Sequence, residues 1–138
     1  YAEVIAVGQD RSGGVDVPDD ITTIGWYRGS EELGSPHGTT VLVGHRDGHD
    51  VGAGAFFGLD TLRAGDRVLV AGPGAAVSYE VIDVELVNKR DFASVSAQVF
   101  ASEGDPRLVM VSCGGAFDFD TGSYESNVIV TASPISTA

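Results

Sequence analysis

The chain has 138 residues, 43% of them hydrophobic and spread in short runs. That suits a single domain over residues 1–138 with a genuine core, and no run approaches the ~20 apolar residues that carry a helix across a bilayer. Twenty acidic residues against eight basic ones give a net charge of -12, which repels phosphate backbones and excludes nucleic acid as an expected partner. A single cysteine excludes an intrachain disulfide and a multi-cysteine zinc site.

Short runs of β-branched and aromatic residues, punctuated by glycine, proline and aspartate, predict an all-β barrel or sandwich. In chain order, strands are expected near Glu3–Gly8, Thr40–His45, Asp66–Ala71, Val77–Val87, Arg107–Cys113 and Asn127–Ala132. Leu108–Val111 and Val128–Val130 are continuously apolar, so they are expected as central strands covered on both faces. Glu80, Asp83 and Glu85 interrupt the run from Val77 to Val87, which reads as a strand with one wet face or an edge position, at the periphery. Gly25–Gly38 and Asp47–Gly54 read as loops. Two short helical turns are expected, one around Phe56, Phe57, Leu59 and Leu62, the other from Phe92 to Phe100, stopped by Gly65 and Gly104.

The residues able to carry chemistry sit at strand ends. Cys113 closes an apolar strand and is followed by Gly114 and Gly115, which leave room for a substrate carbonyl and can turn backbone N–H groups towards a developing oxyanion. The alternative is a buried small hydrophobe. His45 closes Thr40–Gly44 in the same way, and an imidazolium beside a thiol would stabilise the thiolate and could protonate a departing amine. His37 and His49 read as solvated surface residues. A metal set of His45, Asp47, His49 and Asp50 is a weaker alternative, because such loop spacings arise readily by chance; no metal or other cofactor is expected, and no nucleotide, flavin or zinc motif appears. Trp26 and Tyr27 read as plugs of a barrel end, and Asp118 and Asp120 as turn caps. An N-terminus at Tyr1, with no charged-then-apolar leader ahead of it, reads as one trimmed by processing or design.

Four stretches, VDVPDDITTIGWY, TTVLVGHRDG, AFFGLDTLRAGDRV and RLVMVSCGGAFDFDTGSYESNVIVTA, resemble the sortase family, and within it the class F enzymes of actinobacteria. The resemblance implies a sortase-like eight-stranded β-barrel with one or two short helices, and the family's further strand ahead of Tyr1–Gly8 has no match here. It implies a cysteine transpeptidase that cleaves an LPXTG-like sorting signal of a secreted protein through a thioacyl intermediate and passes it to an amine of a cell-wall precursor or pilin. It also implies work on the extracellular face of the cell membrane, by a full-length protein held there by an anchor. Cys113 matches the family's nucleophile and His45 its histidine. The family's arginine on the last strand, in a stretch Y-R-D-N-V, is replaced here by Glu125 in Tyr124-Glu125-Ser126-Asn127-Val128. A carboxylate offers no donor to an oxyanion. Three readings follow: another arginine reaches the site, with Arg46 and Arg90 as the candidates; backbone amides and Asn127 suffice; or the chain is a catalytically silent peptide-binding module.

Overall fold

The computed structural model describes residues 2–11, 15–48, 52–72, 75–118 and 123–135. Strands dominate: β1 (Val4–Val7), β2 (Ile24–Tyr27), β3 (Thr39–Val43), the two-residue β4 (Asp47–Gly48) and β5 (Gly52–Ala53), β6 (Arg67–Gly72), β7 (Ala75–Asn88), β8 (Arg107–Asp118) and β9 (Ser123–Pro134). One helix, α1 (Phe92–Val99), and two single 3₁₀ turns, Leu59–Thr61 and Lys89–Asp91, complete the described elements.

Seven strands form one sheet in the order β1-β2-β3-β8-β9-β7-β6, with β4 and β5 as a separate ribbon. The sheet curls into an open half-barrel, so the expected barrel-like all-β architecture is borne out, with seven strands in the sheet among the described residues. The continuously apolar runs are central, as expected: β8 lies between β3 and β9, and β9 between β8 and β7. β7 is not at the edge, since β6 flanks it on one side and β9 on the other. Its charges mark a solvated face, and β6 takes the outer position. The segment expected as a loop from Gly25 contains most of β2, which pairs parallel with β1 and antiparallel with β3.

Each face of the sheet has its own core, because side chains alternate along a strand. Leu42, Leu108, Met110, Val128, Val130 and Ala132 share one cluster with Tyr79 and Val81, lidded by Phe56 and Leu59 from the short turn after β5. Leu108 and Val130 are completely buried there. On the other face Val109 and Ile129 pack with Val87 and Val99, against Phe92, Val95 and Phe100. The spacing of Phe92, Val95 and Val99 puts all three on one stripe of α1, which is why this eight-residue helix docks. A third cluster joins Val7, Val41 and Val43 to Val15, Val17 and Tyr27.

Candidate active site

The pairing of β3 with β8 runs towards the two predicted site residues. The strands run parallel with a steady register from Thr39↔Arg107 to Val43↔Val111. Gly44 N–H donates to the Val111 carbonyl at 3.2 Å and closes that last pair. His45 and Cys113 each lie two positions beyond that last pair, His45 past the end of β3 and Cys113 within β8. On the far side of β8, Cys113 is paired with Asn127 of β9, which in turn faces Val87 of β7. The side chain of Cys113 lies outside the described residues, so its placement here is that of its backbone.

His45 is half-buried and held on both sides. Its Nε2 lies 2.8 Å from the Pro18 carbonyl oxygen. Its own carbonyl accepts from Phe56 N–H at 2.9 Å, and Gly54 N–H donates to the Arg46 carbonyl at 2.8 Å. Gly44 and Gly54 make this packing possible for steric reasons. A Cβ on Gly44 would stand 2.9 Å from a ring carbon of Phe56, and one on Gly54 would collide with the His45 carbonyl oxygen.

Of the residues weighed as substitutes for the missing arginine, Arg46 bonds Asp60 through Nη1 at 3.1 Å and lies over the Phe57 ring, 5.9 Å from its centroid. Arg90 is exposed on the turn after β7, with its N–H on Asn88 Oδ1 at 3.0 Å. That turn follows Asn88, the partner of Ser126, so Arg90 enters from the same end of the sheet as Asn127. Asn127 is half-buried. Glu125 is exposed and falls where the β8/β9 register shifts, between Gly114↔Ser126 and Phe117↔Tyr124.

A groove of about 760 Å³ runs beside these residues. Val43 and Val111, the last register pair before His45 and Cys113, line it, with Val15 and Val17 on one side and Phe92 and Phe100 on the other. Tyr27 also lines it and meets Phe100 edge-on, ring centroids 5.8 Å apart. Trp26 faces the main core, its Nε1 donating to the Glu31 carbonyl at 3.0 Å. The two aromatics expected as plugs thus divide between core and groove.

The remaining sequence candidates sit elsewhere. His37 is exposed, its Nδ1 3.2 Å from the Ser102 carbonyl and 3.9 Å from Glu31. His49, Asp50 and Asp120 lie outside the described residues, and among the described residues no His, Cys, Asp and Glu side chains group as a metal site. Asp118 ends β8 opposite Ser123. No described helix is long and apolar enough to cross a membrane. Sequence reasoning missed Pro18. It was visible only as part of VDVPDDITTIGWY, with nothing to tie it to a histidine 27 positions on.

A family model for the sortase domain matches residues 2–135. The chain belongs to the sortase family. Its fold is that of sortase C-1 from Actinomyces oris, with 22% identity, TM-score 0.70, and coverage of 97% of this chain and 65% of that one. The SrtA sortase of the same organism aligns at 24% identity and TM-score 0.67, over 94% and 69% of the two chains. A lid mutant of sortase A from Corynebacterium diphtheriae aligns at 17% identity and TM-score 0.70, over 98% and 63%. The chain therefore spans about two thirds of the length of these sortases. No curated protein matches it in a sequence search.

Proposed function

We propose that this sortase domain is a cysteine transpeptidase of class F type, with Cys113 as nucleophile and His45 as acid and base. The observation that carries the reading is the parallel β3/β8 register, whose last pair, Val43↔Val111, stands two positions before His45 and Cys113. The apolar groove beside that pair supports a peptide substrate, here an LPXTG-like sorting signal lying in extended form. The thiolate attacks the threonine carbonyl, a C–S bond forms as the C–N bond breaks, and the imidazolium gives its proton to the leaving amine. An amine of a cell-wall precursor or pilin then attacks the thioester and regenerates the thiolate. A full-length protein anchored at the outer face of the membrane would meet both substrates there.

Glu125 favours a specific second reading, a module that binds sorting-signal peptides without turning them over. In the active reading, Asn127 beside Cys113, Arg90 at the same sheet end, Arg46 beside His45, or backbone N–H groups after Cys113 supply the donors that Glu125 lacks. Intact-mass measurement after incubation with an LPXTG-type peptide separates the two. The enzyme gains the mass of the acyl fragment on Cys113 and loses it when an amine is added. The binding module holds the peptide with no mass change. In Cys113→Ala the adduct is absent and turnover falls by at least about 10³-fold, while the fold persists because the backbone ladder of β8 is untouched.

A further inference from the structure

The segment between β1 and β2 contains one of the stretches that carry the family likeness, and the active-site reading leaves it without a role. It is tied to the histidine. The Pro18 carbonyl oxygen lies 2.8 Å from His45 Nε2. A carbonyl oxygen has no proton to give, so this contact is a hydrogen bond only when Nε2 carries one. Neutral His45 held in this way has its lone pair on Nδ1.

The carbonyl is fixed from several directions. Pro18 is buried, and a Cβ on Gly25 would come within 3.0 Å of its Cδ, which places the ring directly on β2. Three residues on, the Ile21 carbonyl accepts from Ala55 N–H at 2.7 Å, next to the Phe56 N–H that holds the His45 carbonyl. Between them Asp20 Oδ1 accepts from Thr22 N–H at 2.9 Å and from Thr22 Oγ1 at 2.7 Å, closing a tight local turn. Ring and main chain of His45 are therefore clasped by one segment, through Pro18 on one side and through the Ala55–Phe56 strap on the other.

We infer that the backbone carbonyl of Pro18 is the positioning group for His45, fixing the Nε2–H tautomer so that all proton traffic with the thiol passes through Nδ1. The inference rests on the transpeptidase reading for its catalytic meaning, though not for its geometry. Nδ1 accepts the thiol proton, giving an imidazolium that keeps its Nε2–H on Pro18. The Nδ1 proton then passes to the leaving amine, and the ring returns to the starting tautomer. The role is the one a carboxylate plays behind a catalytic histidine, filled here by a main-chain oxygen that does not change charge with pH.

Two measurements test it. Long-range ¹H–¹⁵N spectra of the unmodified protein with labelled histidine should show the neutral His45 ring protonated at Nε2 and bare at Nδ1; a ring protonated at Nδ1 overturns the inference. The second uses protein in which Asp19 is replaced by its α-hydroxy acid, so that the Pro18 carbonyl belongs to an ester and becomes a poorer acceptor. The expected result is a mixed-tautomer ring signal and a fall in kcat of about 10-fold or more with KM unchanged. An ester variant with an unaltered ring spectrum overturns the proposal, whatever its activity. The tautomer measurement stands even where the ester chain folds poorly. If the Nε2–H tautomer is found but no acyl adduct forms at Cys113, the positioning stands and the transpeptidase reading falls.

Discussion

Gly54 shows how closely the site is fitted at the scale of single residues. A Cβ on it would collide with the His45 carbonyl oxygen, and the hydrogen bonds from Gly54 N–H to Arg46 and from Phe56 N–H to His45 depend on that close approach. Gly54→Ala should cost about 1–3 kcal/mol in urea unfolding and should broaden or shift the His45 ring signals. Unchanged stability with unchanged ring signals would show that the strap is not seated as described. Gly44→Ala meets the Phe56 ring instead, a side chain that can give way, so a smaller loss is expected. Little of this was legible in the sequence, where Gly44 read as part of a strand and Gly54 as the end of a loop. His45 and Cys113 stood out because apolar runs stop at each, yet Cys113 lies inside β8, which runs on to Asp118, and His45 lies two residues past the end of β3. The parallel register that runs towards both was not legible, since it joins segments far apart in the chain.

At the scale of elements, the segment before β2 links acidity to the site. The Asp20 carboxyl is held below its ordinary value of 3.8, first by the hydrogen bond from the Thr22 hydroxyl and then by the one from Thr22 N–H. A carboxyl with a lowered folded-state value stabilises the fold above its unfolded value, and that contribution disappears as pH falls through the lowered one. Thermal midpoints taken between about pH 5 and 2 should therefore fall less steeply in Asp20→Asn than in the parent chain. Identical slopes would remove Asp20 from the turn. The elements that sequence reading misjudged share a cause. β2 is four residues with a glycine inside, and its partners on both sides supply an order that no local pattern announces. β7 carries charges on a wet face, and wetness of a face does not distinguish an edge strand from an inner one. β8 and β9 were legible through their apolar centres, yet both run on past the expected ends, through residues whose strand character comes from pairing with each other.

Across the whole molecule, stability concentrates where the central strands meet the lid. Leu108 is completely buried, in register with Thr40 on one side and Ala132 on the other. Leu108→Ala should lower unfolding free energy by about 2–5 kcal/mol, measured in urea with an unchanged m-value, and a loss under 1 kcal/mol would place the core elsewhere. The all-β class was legible because apolar runs and glycine punctuation recur throughout the chain. The open order of the sheet was not, since closure is decided by how distant edges meet. The parallel pairing of β3 with β8 also bears on how the molecule comes into being. Its two strands are separated by the β6/β7 hairpin and α1, so their ladder must close a long loop before its own hydrogen bonds stabilise it. On the proposed reading, reactivity of the thiol would rise only as that slow, non-local pairing forms.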